Sequence, residues 1–103
     1  MDDANQIVVP PSFTALYSTP SGHRLTESMQ VVRQRYELCE DLANMLMDQA
    51  STAHFSSGGS ERQVLETMQE GLAGGESPVS AAEAQWIVVR IAELLGWELP
   101  GPR

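Results

Sequence analysis

The sequence contains no lysine, and its 6 basic residues are all arginines. A phosphate-binding P-loop needs a lysine side chain on the nucleotide phosphates, and a Schiff-base enzyme needs a lysine amine. The missing lysine therefore excludes both of these enzyme classes. The exclusive use of arginine, together with many alanines and glycines, indicates GC-rich codons and favours a bacterial source.

Cysteine and long apolar runs are also scarce. A single cysteine, Cys39, cannot form an internal disulfide, so nothing calls for an oxidising compartment. The longest apolar runs have four or five residues, whereas a membrane-spanning helix needs about 20. The acidic start of the chain lacks the basic stretch and apolar core of a secretory signal. These features predict a cytoplasmic protein without a membrane span.

Positive charge is scarce as well, because 14 acidic residues outnumber the 6 arginines and give a net charge of −8. Such a surface repels the phosphates of nucleic acids and anionic lipids. Helices over 61–72 and 81–96 would suit a helix-turn-helix, but Arg90 is the only basic residue of the second helix. DNA-binding domains usually carry a basic footprint. The composition therefore predicts neither a nucleic-acid partner nor a membrane partner.

The spacing of apolar residues predicts an all-α fold. A chain of 103 residues that is 42% hydrophobic suits one domain with one core. We expect helices at about 26–54, 61–72 and 81–96, which would form a three-helix antiparallel bundle over residues 26–97. An irregular segment over residues 1–25, which could contain a short helix at 12–17, is expected to pack against the bundle. Residues 98–103 would form a tail.

Capping signals mark the expected helix ends. Thr26 is the expected N-cap of the first helix, and Ser60 and Ser80 stand three residues before Gln63 and Glu83, which is the capping-box spacing. Glycines follow the second and third helices as stop signals.

The first helix carries two neighbouring apolar stripes that together cover about 200° of its surface, so we expect it to contact more than one element. The first stripe contains Met29, Val32, Tyr36, Cys39, Ala43, Leu46, Ala50 and Ala53, and the second contains Val31, Leu38, Leu42 and Met45.

The two histidines and the cysteine do not point to chemistry. His23 and His54 lie in or beside loops, without other ligands at a metal-binding spacing, and a metal site needs three or four convergent ligands. Both are expected to be surface histidines. Cys39 falls in the centre of the first stripe and next to Glu40 and Asp41, which disfavour a thiolate. It is expected to be a core thiol.

Two polar features leave alternatives open. The polar face of the first helix is expected to be a solvated face or a docking strip for a basic partner; its residues are Glu37, Asp41, Asn44 and Asp48. The loop over residues 57–60 leads into a helix N-terminus, where backbone amides can bind an anion. Without lysine, and with Glu61 next, a linker with an N-cap is the favoured interpretation. The sequence predicts no catalytic residue, metal or cofactor.

The third helix is apolar on two sides. Ala82, Trp86 and Val89 lie opposite its main apolar face, and Trp97 extends that side beyond the helix end. We predict that this face is a candidate partner-binding surface. Either another protein or a second copy covers it, or, as we favour, the N-terminal segment folds across it with Ile7, Val9, Phe13, Leu16 and Tyr17.

Three stretches of the sequence are VVPPSFTALY at 8–17, RYELCEDLA at 35–43, and SAAEAQWIVV at 80–89, which runs on to Gly96 and Trp97. Together they resemble a family of small uncharacterised bacterial proteins, and the similarity spans nearly the whole chain. Some members carry the automatic label "ATPase with chaperone activity", so the resemblance implies a nucleotide-binding or chaperone-associated subunit. It brings no catalytic motif, and the Walker A lysine is missing. The residues favour a non-enzymatic helical protein-interaction module, with a self-associating regulatory subunit as a further alternative.

Overall fold

The fold, taken from a computed structural model that describes residues 8–98, consists of helices joined by loops, with one isolated antiparallel β-bridge between Ser18 and Leu25 within that range. Four α-helices and a short 3₁₀ helix are present, and the described residues contain no strand. The helices are α1 (Pro11–Thr14), the 3₁₀ helix (Ala15–Tyr17), α2 (Met29–Ser57), α3 (Glu61–Leu72) and α4 (Ala81–Leu95). The predicted all-α class is confirmed. Ile7 and the predicted tail beyond Glu98 lie outside the described residues.

The chain divides into two compact units. The first unit ends with Leu38 and the second begins with Cys39, so α2 contributes residues to both. Between Val8 and Glu98, no helix has the length and the hydropathy that crossing a membrane requires.

The first unit is organised around Phe13, whose side chain is completely buried. Its ring centroid lies 5.8 Å from that of Tyr17 and 5.6 Å from that of Tyr36, which it meets edge-on. Val32, one turn before Tyr36 on α2, is also completely buried. Pro11 at the start of α1 supplies the backbone angle that a first helical residue needs. An aromatic cluster thus joins α1 to the first part of α2.

The predicted cap of α2 at Thr26 is wrong. The backbone N–H and the Oγ1 of Thr26 both donate to the carbonyl oxygen of Tyr17, at 2.6 and 3.1 Å. Thr26 therefore closes the loop after the 3₁₀ helix instead of starting α2. The Oγ of Ser28 accepts the Val31 N–H at 3.2 Å, and α2 begins at Met29. Its last residue is Ser57, because Gly58 adopts a left-handed backbone with a φ of 71°.

The core of the second unit combines three helices. The first stripe of α2 is buried at its centre, but Ala53 is exposed, as is Met29 in the first unit, so the prediction is wrong at the stripe's two ends. The main apolar face of α4 is buried at Ala84, Ile87, Val88 and Ile91 and half-buried at Leu94 and Leu95. The buried apolar residues are Cys39, Ala43, Ala50, Val64, Leu65, Val79, Ala84, Ile87, Val88, Ile91 and Ala92.

Capping interactions fix both ends of α4. The Oγ of Ser80 accepts the Glu83 N–H at 3.1 Å, while Oε1 of Glu83 accepts the Ser80 N–H at 3.0 Å, which forms the predicted capping box. At the other end Gly96 has a φ of 74°. The N–H of Trp97 donates to the carbonyl of Ala92 at 2.8 Å, and the N–H of Gly96 donates to Glu93. This pair of bonds is a Schellman motif, which turns the chain back at Trp97.

Candidate protein-binding surface

The predicted surface on α4 is partly accessible. Ala82 is exposed, whereas Trp86 and Val89 are half-buried. The three residues stand four and three positions apart, so they share one side of the helix. Trp97 follows the end of α4 and is also half-buried. Binding of a partner by these four residues, and coverage of them by the N-terminal segment, both stay predictions.

Trp97 contacts the end of α2. Its ring lies edge-on to the imidazole of His54, with 5.1 Å between the ring centroids. His54 is half-buried, and His23 is exposed as predicted. The contact depends on the Schellman motif, since Gly96 lets the chain reverse at this point. Part of the Trp97 surface therefore contacts His54 inside the second unit.

An ion pair that the sequence analysis missed joins α2 to α4. Nε and Nη2 of Arg90 lie 2.9 Å from Oε1 and Oε2 of Glu40, and Nη1 donates to Glu93 at 3.2 Å. The Arg90 hydrogen bonds hold the pKa of Glu40 below its usual value of 4.5, against the effect of burial. Asn44 adds a bond from its Nδ2 to Oε2 of Glu40 at 3.2 Å. No short-range pattern marks this pair, because 50 residues separate its members.

The surface of the second unit is acidic. From Cys39 to Glu98 the sequence has ten carboxylates and two arginines, a formal charge of −8. Arg90 pairs with Glu40, and Arg62 pairs with Glu66 at 3.1 Å. Glu37, Asp41, Asn44 and Asp48 are all exposed, so the predicted polar face of α2 does lie on the outside.

Two large apolar side chains of α2 are exposed. Met45 is 68% exposed and Phe55 is 90% exposed. Met45 belongs to the second predicted stripe, where a covering neighbour was expected. Phe55 was not singled out, because it stands in a polar stretch where helical periodicity gives no signal.

A groove of about 420 Å³ lies between the second half of α2 and α3. Three apolar side chains line it together with amide- and hydroxyl-bearing side chains. None of the described residues that line it is charged. They are Gln49, Ala53, Ser57, Gly59, Gln63, Val64, Thr67 and Met68.

The features that could support a catalytic or metal site are the histidines, Cys39 and the loop over residues 57–60. Among residues 8–98, no group of three or more His, Cys, Asp or Glu side chains is arranged to hold a metal ion. Cys39 is completely buried, which confirms the predicted core thiol. In the loop before α3, the Oγ of Ser60 accepts the Gln63 N–H at 3.0 Å and the Gly59 N–H donates to Ser57. These bonds fit the predicted linker and N-cap.

The chain matches no model of a known protein family, no curated protein and no solved structure. The resemblance to small bacterial proteins therefore stays a prediction. So does the nucleotide-binding role that this resemblance implies.

Proposed function

We propose that this protein is a non-enzymatic helical interaction module that acts by binding another protein, in the cytoplasm of a bacterium. The exposure of Met45 and Phe55 on α2 carries the proposal. Burial of apolar surface contributes about 25 cal/mol per Å². A partner that covers both side chains would bury this apolar surface, and the burial would stabilise the complex. Single exposed apolar residues are common, but these two stand on the helix that also forms one wall of the groove.

The charge of the second unit narrows the choice of partner. With ten carboxylates against three arginines, this unit repels nucleic acid and anionic membranes and attracts a basic protein surface. The exposed carboxylates Asp41 and Asp48 stand four residues before and three residues after Met45 on α2. By helical spacing they lie beside it. A partner with an apolar centre and basic edges therefore fits this part of α2.

We also propose that α2, α3 and α4 form an antiparallel three-helix bundle, with the N-terminal segment packed against it. Two contacts support the bundle: Glu40 pairs with Arg90, and His54 contacts Trp97. From the first contact to the second, the residue number rises both on α2 and on the α4 side. This order favours a parallel arrangement of α2 and α4. The short connections at 58–60 and 73–80 then favour an α3 that runs the opposite way.

The α4 surface is a second candidate for the same function. Ala82 is exposed and Trp86 and Val89 are half-buried, so this side of α4 offers an aromatic anchor of the type that dominates protein interfaces. Trp97 would contribute at its edge.

Two alternatives make different predictions. A nucleotide-binding or chaperone-associated subunit should show a saturable increase in melting temperature with ATP or ADP. A self-associating regulatory subunit should show a concentration-dependent sedimentation coefficient with no other protein present. The interaction module should show neither effect.

A double surface variant tests the proposal. Met45→Ser with Phe55→Ser removes the exposed apolar side chains, and Gln34→Ser with Thr52→Ser changes two exposed polar positions of the same helix as the control. In affinity purification from source cells, wild type and control should recover the same specific proteins. The double surface variant should recover about tenfold less, a loss of about 1.4 kcal/mol in binding. Equal recovery by all three would contradict the proposal.

A further inference from the structure

The groove has the layout of a site for side chains on a helix. Gln49, Ala53 and Ser57 stand four residues apart and form its α2 wall. On α3, Gln63 and Thr67 stand four residues apart, as do Val64 and Met68, so these four residues form the second wall. A groove of about 420 Å³ accepts side chains rather than a whole helix, because a helix with its side chains is about 10–12 Å across.

Carboxylates flank the groove on its α3 side. Glu66 and Glu70 follow the lining residues Gln63 and Thr67 by three positions, and both carboxylates are exposed. The nearest basic residue in sequence, Arg62, is paired with Glu66. An uncharged groove therefore has an acidic edge on α3.

We propose that this groove binds a basic amphipathic helix of another protein, and this inference rests on the proposed function. Aliphatic side chains on one face of that helix enter the groove and contact Ala53, Val64 and Met68. Its lysines and arginines face Glu66 and Glu70 at the α3 edge of the groove. Binding by strand addition is not an option here, because residues 8–98 contain no strand to extend.

A model peptide tests the inference on the full-length protein. The probe is an 18-residue peptide of leucine and lysine, with leucines at the i, i+3, i+4, i+7 spacing of a helix. A scrambled peptide of the same composition controls for charge, and a leucine–glutamate peptide controls for the sign of the charge. Fluorescence anisotropy should give a Kd at least about tenfold lower for the helical lysine peptide than for either control.

Methyl NMR locates the binding site, because the chain has 5 methionines. The methyl resonance of Met68, which lines the groove, should shift on addition of the peptide. The resonance of Met29, in the first unit, should not shift. If the Met68 resonance stays in place while the peptide binds, the groove is not the site and the inference is overturned.

Two matched pairs of variants separate shape from charge. Ala53→Trp fills the groove from an exposed position and should weaken peptide binding at least about tenfold, whereas its exposed neighbour Thr52→Trp should change the Kd by less than about twofold. Glu66→Gln with Glu70→Gln should weaken binding and reduce its salt dependence. Glu76→Gln with Glu98→Gln removes the same charge elsewhere and should have less effect.

Several results would overturn the inference. Equal affinity for the helical and scrambled peptides, or equal effects of the two charge variants, would show that the binding is general electrostatic attraction. Failure of the helical peptide to bind would also overturn it. If Met45→Ser with Phe55→Ser still lowers the recovery of natural proteins about tenfold, the proposed function stands and only the helix-binding groove fails.

Discussion

Arg90 and Glu40 form a two-point ion pair, with both nitrogen–oxygen distances at 2.9 Å. The pair joins α4 to α2, and it is partly shielded from water because the side chains are 33% and 22% exposed. Two parallel hydrogen bonds fix the orientation of the two groups as well as their separation. This contact therefore defines how the two helices meet within the second unit.

Replacement of Glu40 by Gln is expected to lower the free energy of unfolding by about 1 kcal/mol, because Arg90 loses its two-point partner while Glu93 remains. Asp41→Asn, at the neighbouring exposed position, removes the same charge and should change stability by less than about 0.5 kcal/mol. Urea denaturation of the three proteins measures both values. Equal destabilisation by the two variants would show that the ion pair adds nothing beyond a surface charge.

The same pair predicts a dependence of stability on pH. Arg90 lowers the pKa of Glu40 in the folded protein, so the unfolded chain takes up a proton at a higher pH than the folded chain does. The contribution is fully present above the ordinary pKa of 4.5 and is lost as the pH falls through the lowered pKa. Denaturation curves between neutral and acidic pH should show that the difference between wild type and Glu40→Gln shrinks below pH 4.5. A constant difference would contradict this assignment.

Cys39→Ser is expected to lower stability by about 1–3 kcal/mol, because a hydroxyl replaces a completely buried thiol and needs a hydrogen-bond partner. The wild-type thiol should react slowly with a thiol reagent until denaturant is added. Binding of a partner should persist in the folded variant. Rapid labelling without denaturant would show that this part of α2 is accessible.

Periodicity predicted the central part of the fold because local rules decide it. The capping box of Ser80 with Glu83 and the stop at Gly96 require only neighbouring residues. The start of α2 was predicted wrongly because the Thr26 side chain donates a hydrogen bond to the carbonyl oxygen of Tyr17, nine positions away, instead of capping the helix. The complete burial of Phe13 likewise depends on Tyr36, which no local pattern connects to it.

The candidate sites were harder to predict than the helices. The α4 surface could be predicted from the helical wheel, since Ala82, Trp86 and Val89 share one side of a single helix. The groove was not predicted, because its two walls lie on different helices and its lining is mostly small or uncharged polar residues. The Glu40–Arg90 pair escaped prediction for the same reason, since tertiary packing alone brings its members together.

Deletion of residues 1–20 tests whether the N-terminal segment covers Trp86. In a Trp97→Phe background, where Trp86 is the remaining tryptophan, the deletion should shift the emission to longer wavelength. It should also lower the melting temperature, since it removes the buried Phe13, and promote self-association in sedimentation. Unchanged emission and a monomeric truncated protein would show that the segment does not cover Trp86, and would leave that surface to a partner.

The central claim is that another protein binds the exposed apolar surface of α2, and a photocrosslinking amino acid at position 55 tests it most directly. The side chain of Phe55 is 90% exposed, so the substitution does not disturb the core. Irradiation of source cells should join the protein to one or a few specific proteins, while the same crosslinker at the exposed position 34 should not. If position 55 gives no crosslink, or only the products obtained at position 34, the account is contradicted.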